Sequence, residues 1–216
     1  MNKILVTTLT TTALAVSVLA QGTVSLPLAS SSRYIQYCPD GTTFVKFPSG
    51  SPATLAPWGS LNVAVYYASA GTASPFVPDA PYGGPIPAPW KQSVNVMHNL
   101  YGAGVNLATT FTLTSATGGS TVQALVVGWT GNFATWNEAM AAGVGIVGFT
   151  GSIRSGGALS WLQGTGNPMG SPPTLPVALV TGPLGYNGLV LGVPEPSMFA
   201  LAGLGAAALM IFRRRR

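Results

Sequence analysis

Residues that commonly carry catalysis are scarce in this chain. It contains one histidine, His98, and one cysteine, Cys38, and a Cys–His pair is the raw material of a thiol hydrolase. A Ser–His–Asp set can be assembled on paper, but no Gly-x-Ser-x-Gly nucleophile elbow occurs in the sequence. Because active sites usually need several titratable groups, we predict no catalytic residues and no enzyme activity. A secreted hydrolase would require Cys38 or a serine within hydrogen-bond reach of His98.

Metal ligands are equally sparse. With one histidine and one cysteine, the usual zinc ligand sets cannot form within one chain. Asp40 and Asp79 lie far apart in sequence and lack the Asp-rich pattern of a calcium loop. The sequence therefore predicts no metal site and no cofactor. Cys38 is either a buried small residue or an exposed thiol that links two chains.

The tryptophan side chains point to a second kind of function, which is ligand binding rather than catalysis. Trp58 and Trp90 lie in proline-rich segments, where exposed rings could stack on the sugars of an exopolysaccharide. The alternative is that both rings belong to the core, since large aromatic side chains are mostly buried. A carbohydrate-binding module with Trp58 and Trp90 as its ligand aromatics is thus the second hypothesis for function.

The C-terminal segment 193–216 combines three features in a fixed order. A Pro-Glu-Pro turn precedes an uncharged apolar run from Met198 to Phe212, and four arginines end the chain. As a helix the run would span about 22 Å against roughly 30 Å of bilayer hydrocarbon, a gap that extended arginine side chains help to close. A soluble core helix would carry a polar face, which this run lacks. The run 198–212 therefore predicts a single transmembrane helix with a cytoplasmic stop-transfer cluster. The turn consists of Pro194, Glu195 and Pro196, and the cluster of Arg213, Arg214, Arg215 and Arg216.

This order of features resembles the PEP-CTERM sorting signal of Gram-negative bacteria. The resemblance covers residues 193–216 and implies recognition by exosortase, a membrane-embedded, transpeptidase-like enzyme that cleaves at or near the motif. It also implies that the ectodomain is released or passed to the cell surface or an extracellular matrix. A proline-rich linker before a plain membrane anchor would keep the same topology and lose only the processing step.

The N-terminus also indicates export. Lys3 gives a positive start, residues 4–19 form an apolar, threonine-rich stretch, and Ala20 is a small residue at the expected cleavage position. This pattern resembles a secretory signal peptide over residues 1–20, cleaved between Ala20 and Gln21, with an uncleaved anchor as the alternative. The predicted organisation is a signal peptide at 1–20, a secreted domain at 21–192 and a sorting signal at 193–216.

The charge of the chain belongs mainly to its ends. The formal net charge is +5, but the segment from Gln21 to Pro194 carries four basic and three acidic residues and so a net charge of +1. We therefore predict no nucleic-acid partner. The protein is expected first at the inner membrane with its domain outside, and then at the cell surface or in the medium. The charged residues of that segment are Arg33, Lys46, Lys91, Arg154, Asp40, Asp79 and Glu138.

Short apolar runs separated by glycine and proline predict a mainly β domain. Expected strands cover residues 23–28, 34–38, 42–47, 61–67, 92–97, 106–113, 121–129, 145–150, 158–162 and 188–191. Pro39-Asp40-Gly41 predicts a hairpin turn, and Pro27 suggests an edge strand. Six prolines exclude regular structure from residues 71–90, which form either a functional loop or plain surface.

One short helix is predicted between Thr135 and Gly143. Thr135 and Glu138 have the spacing of a capping box, and Gly143 suits a left-handed stop. The fold class is therefore an antiparallel β-sandwich with one short helix. The function expected is that of an exported surface or matrix protein with a structural or adhesive role, and its partners are an exosortase-type enzyme, the membrane and an exopolysaccharide.

Overall fold

A computed structural model describes residues 21–26, 34–38, 42–47, 54–55, 58–77, 83–98, 100–101, 105–106, 109–143, 145–152 and 155–192. These residues form a mainly β structure with one short helix, α1 (Trp136–Ala142). The strands are β1 (Gln21–Leu26), β2 (Ile35–Cys38), β3 (Val45–Lys46), β4 (Thr54–Leu55), β5 (Gly59–Ser69), β6 (Lys91–Gln92), β7 (Leu100–Tyr101), β8 (Val105–Asn106), β9 (Thr109–Thr117), β10 (Thr121–Thr130), β11 (Val147–Phe149), β12 (Trp161–Gly164), β13 (Val177–Ala178) and β14 (Leu189–Gly192).

The antiparallel pair β5–β10 is the centre of the fold. Its register runs from Ser69 opposite Val122 to Leu61 opposite Thr130. Both faces of the pair are buried, as the apolar centre of residues 121–129 predicts for a central strand. Large β-branched and aromatic side chains suit such a position because they pack well against pleated neighbours.

The described strands form two sheets and one small hairpin, and the β5–β10 pair lies within the larger sheet. The larger sheet has the order β3-β2-β14-β11-β10-β5-β4, with β12 paired to β10 and β6 paired to β5. The second sheet has the order β13-β1-β9, and β7 pairs with β8. The predicted hairpin is confirmed by the antiparallel pairing of β2 with β3.

The expectation of a wholly antiparallel arrangement is wrong at two positions. β14 pairs with β2 in parallel, and β13 pairs with β1 in parallel. In both cases a strand from the C-terminal part of the chain joins an N-terminal strand through a long connection, which removes the constraint that a hairpin imposes. The edge-strand expectation for β1 is also wrong, because β1 lies between β13 and β9. Pro27, on which that expectation rested, lies outside the described residues.

Two hydrophobic clusters cover the two faces of the central pair. The first cluster joins one face to the second sheet and contains Val63 and Val65 of β5, Val24 of β1 and Phe111 of β9. The second cluster lies on the opposite face, where the proline-rich segment and α1 replace a sheet. Its members are Ala64, Tyr66, Ala68, Phe76, Ile86, Trp90, Leu125, Val127, Trp129, Trp136, Ala139, Val147 and Phe149.

The strand expected at residues 92–97 is reduced to β6 and a single bridge between Met97 and Val63. The reason is that the segment crosses between the two sheets. Ser93 donates its backbone N–H to Val65 of β5 at 2.8 Å, and Val94 donates to Thr112 of β9 at 3.0 Å. A segment that bonds to two different sheets in successive residues cannot continue as one strand of either.

Helix α1 begins and ends as its sequence predicts, with one difference. The Thr135 hydroxyl accepts from the Glu138 backbone N–H at 3.2 Å, and Gly143 takes the left-handed conformation at φ 61°. The Glu138 carboxylate, however, accepts from the N–H of Ala134 at 3.0 Å rather than from that of Thr135. The capping box therefore closes one residue further upstream.

The predicted targeting segments lie outside the described residues. These are the signal peptide at 1–20, the sorting turn at 194–196, the transmembrane helix at 198–212 and the arginines at 213–216. Within the described ranges, no helix has the length and apolar character needed to span a bilayer.

Candidate functional site

The last described strand, β14, directly precedes the predicted sorting segment and is the first candidate site. β14 lies inside the larger sheet between β2 and β11, and its last residue, Gly192, pairs with Cys38 and with Val147. Leu189 and Leu191 are fully buried. The β11–β14 contact is close, because a Cβ added to Gly148 would overlap the Val190 carbonyl oxygen. The segment from Val193 onward thus follows a strand that is fixed in the core.

The start of the described fold mirrors this end. β1 begins at Gln21, the first residue after the predicted signal cleavage position, and Gln21 pairs with Thr117 of β9. Ala20 lies outside the described residues. The predicted cleavage between Ala20 and Gln21 therefore stays a prediction.

The two candidate hydrolase residues are not brought together. Cys38 is only 1% exposed at the end of β2, inside the larger sheet. His98 is exposed and lies beside a groove whose other lining residues are Asn62, Gln92, Val94, Val96, Asn132, Phe133, Ala134 and Thr135. No cysteine, serine or acidic residue occurs among these described neighbours of His98. The one hydroxyl side chain among the described lining residues of this groove is that of Thr135, which caps α1.

The two candidate ligand tryptophans differ in exposure. Trp90 is only 7% exposed, belongs to the second cluster and donates its indole N–H to the Ala73 carbonyl oxygen at 3.2 Å. It presents no open ring face for a sugar. Trp58 is half-buried and packs beside Tyr37 with 6.0 Å between ring centroids.

Glu138 belongs to a polar chain that joins α1 to the central strands. Tyr66 donates its hydroxyl hydrogen to Gln92 Oε1 at 2.7 Å, and Gln92 Nε2 donates to the Ala134 carbonyl oxygen at 3.0 Å. Burial raises the pKa of Tyr66 to about 12, a bond from the Trp136 backbone lowers that pKa, and the nearby Glu138 carboxylate raises it. These hydrogen bonds position α1 against the central strands, so Glu138 acts as a structural residue here.

A cleft that the sequence did not reveal lies at the other end of the central pair. It has a volume of about 380 Å³, and its lining includes one charged side chain, Lys91. Lys91 donates from Nζ to Ser115 Oγ at 2.8 Å. The signal that could have located it is weak, namely a lysine in a domain with few charges. The remaining lining residues are Tyr67, Ala68, Ser69, Ala70, Pro89, Ala116, Thr117, Ser120, Thr121 and Val122.

Comparison with known proteins identifies one part of the chain. The family model described as the PEP-CTERM protein-sorting motif matches residues 192–216, at the C-terminus. The match begins at Gly192, the last residue of β14. No curated protein and no solved structure shows significant similarity to the chain.

Proposed function

We propose that this chain, which carries a PEP-CTERM protein-sorting motif at its C-terminus, is an exported protein that an exosortase cleaves at the cell envelope. After cleavage, the domain serves as a structural or adhesive component of the cell surface or extracellular matrix. The observation that carries this proposal is the motif match at residues 192–216. The signal-peptide pattern at residues 1–20 supports it independently.

In this proposal, the chain crosses the inner membrane once. The apolar run 198–212 is the membrane helix, the four arginines stay in the cytoplasm, and the domain lies outside. The segment 193–197 separates the end of β14 from the membrane helix, and fully extended it reaches roughly 20 Å. The uncleaved domain is therefore held close to the bilayer surface, where a membrane-embedded enzyme can reach the Pro-Glu-Pro turn.

The position of the motif is compatible with release of an intact domain. Every described strand lies before Val193, so cleavage at residues 194–196 would remove no described strand and none of the described members of the two hydrophobic clusters. We propose that the two sheets joined by the first cluster pack as a β-sandwich, with α1 and the proline-rich segment covering the outer face of the larger sheet.

We propose a non-catalytic role for the domain. The burial of Cys38, the neighbours of His98 and the capping role of Glu138 support it. A carbohydrate-binding role remains the second candidate. Because Trp90 is buried, we place the carbohydrate site in the hydroxyl-lined cleft at Lys91 rather than at the Trp90 ring.

The sorting proposal is tested by replacing Pro194, Glu195 and Pro196 with alanine in cells that express an exosortase. Wild-type protein is expected to lose its C-terminal arginines, whereas the variant accumulates in the membrane with them attached. A matched control replaces Pro85 and Pro87, two exposed prolines of the domain, and is expected to be processed normally. Normal processing of the 194–196 variant would refute the motif's role.

A further inference from the structure

We propose that the cleft beside Lys91 binds a carboxylated sugar unit, either a free uronate or a uronate residue of an acidic polysaccharide. The inference deepens the proposed surface role, because it names a ligand class for the exported domain. It rests on the proposed surface role for the place where the protein meets the ligand. The chemistry of the site does not depend on that role.

The size and walls of the cleft suit one sugar unit. Its volume of about 380 Å³ lies near the lower end of the range for ligand pockets, about 300–1,000 Å³. The buried side chains of Tyr67, Ala116 and Val122 belong to the first hydrophobic cluster, so the walls that they provide are held by the core. Strands β5, β6, β9 and β10 therefore shape the cleft before any ligand arrives.

Lys91 is the only charged residue among the described residues that line the cleft. It pairs with Tyr67 across β5–β6, and the 2.8 Å bond from Nζ to Ser115 Oγ holds its ammonium group at the cleft. Ser115 is itself fixed, because its backbone N–H donates to the Tyr67 hydroxyl oxygen at 3.1 Å. An ammonium group has three N–H donors, so two stay available for a ligand oxygen.

The one acidic side chain in the described ranges forms its hydrogen bond away from Lys91. In the part of the chain that the structure describes, Glu138 is the only acidic residue, and its carboxylate accepts from Ala134 beside α1. Glu138 also influences Tyr66, which belongs to the second cluster, whereas Tyr67, which lines the cleft, belongs to the first. A ligand carboxylate would therefore meet a cation that is not paired with Glu138.

The other polar side chains among the described lining residues carry hydroxyls. Serine and threonine hydroxyls both donate and accept, so they match the hydroxyls of a sugar ring. One lysine with no other cation suits a single carboxylate better than a phosphate, which proteins usually hold with arginine or with several backbone N–H groups. The hydroxyl residues lining the cleft are Tyr67, Ser69, Ser115, Thr117, Ser120 and Thr121.

Calorimetric titration of the full chain in detergent tests the proposal with three probes, trigalacturonate, galacturonate and maltotriose. We expect the acidic sugars to bind and neutral maltotriose to show no heat. Lys91→Met should weaken acidic-sugar binding at least tenfold, and Lys91→Arg should retain part of it. Lys46→Met is the matched control, since Lys46 is an exposed lysine that lies 3.6 Å from the Tyr34 ring centroid.

Each outcome of the titration decides a point. Tighter binding of trigalacturonate than of galacturonate identifies a polysaccharide as the ligand source, and equal binding identifies the free uronate. Equal binding of maltotriose, unchanged binding by Lys91→Met, or no heat with either acidic sugar would overturn the proposal. Because the titration does not depend on cleavage of the tail, its failure is distinguishable from failure of the sorting proposal.

Discussion

The two faces of the β5–β10 pair are covered in different ways. On the first face, a second sheet contributes aliphatic residues and Phe111, and packing is strand against strand. On the second face, the proline-rich segment and α1 form the cover, and Phe76, Trp90, Trp136 and Phe149 provide much of the buried volume. Phe76 and Phe149 approach to 4.1 Å between ring centroids.

On the second face, indole N–H groups bond to backbone carbonyl oxygens of the irregular segments. Trp136 donates to the Gly84 carbonyl oxygen at 2.8 Å, and Trp129 donates to that of Phe133 at 2.9 Å. Asn137 strengthens the same connection, since its side-chain amide exchanges two hydrogen bonds with the backbone of Ile86. The comparison shows that irregular chain can cover a sheet when large side chains bring both apolar area and a hydrogen-bond donor.

The largest effect is expected from Trp136→Ala. Trp136 is fully buried, so its removal leaves a cavity and an unbonded Gly84 carbonyl oxygen, and should lower the free energy of unfolding by about 3–5 kcal/mol. Urea unfolding measures the change. Trp58→Ala is the control and should cost clearly less, because Trp58 is half-buried on the first face. Equal losses would contradict the special role of the second face.

A pH-dependent loss is expected from Tyr66, which joins the central strand to α1. Its pKa rises from 10.0 to about 12 on folding, so its contribution is complete below pH 10 and is lost as the pH rises towards 12. Unfolding of wild type and Tyr66→Phe between pH 9 and 11.5 should therefore converge as the pH rises, and parallel curves would count against this account.

A smaller effect is expected where β11 meets β14. Gly148→Ala would push a methyl group against the Val190 carbonyl oxygen, and overpacking of this kind costs about 1–3 kcal/mol. Gly164→Ala is the matched control in β12, since a Cβ there meets no atom within 4 Å. Thermal unfolding of both variants gives the comparison. A stable Gly148→Ala protein would show that β14 is less tightly held than described.

The smallest effect is expected from the helix cap. Thr135→Ala removes the hydroxyl that accepts from Glu138 and should cost about 1 kcal/mol. Thr135→Ser keeps an acceptor at the same place and should cost less. Denaturant midpoints of the two variants measure the difference, and a Thr135→Ala midpoint equal to wild type would contradict the assigned cap.

Local signals accounted for most of the elements that the sequence predicted. The β2–β3 hairpin, the β5–β10 strands and the caps of α1 depend on neighbours close in the chain, and all three are confirmed. The parallel pairings of β13 and β14 were missed because they join distant segments and leave no periodic trace. The two-residue strands β4 and β13 are too short to show alternation.

The candidate sites also differ in whether the sequence could predict them. The sorting segment could be predicted because three unlike features follow one another within residues 193–216, and the family model confirms the motif. The Lys91 cleft could not, since its walls come from β5, β6, β9 and β10, which only the fold brings together. The proline-rich segment was expected as a functional loop or plain surface, yet Phe76, Ile86 and Trp90 make it part of the core.

The intact mass of the wild-type protein recovered from membrane and medium tests the central claim of sorting and cleavage most directly. The account predicts a mature chain that begins at Gln21, ends near Pro194–Pro196 and lacks Arg213–Arg216. A mass that retains all four arginines in every fraction would make the C-terminal segment a plain anchor and would contradict processing by an exosortase.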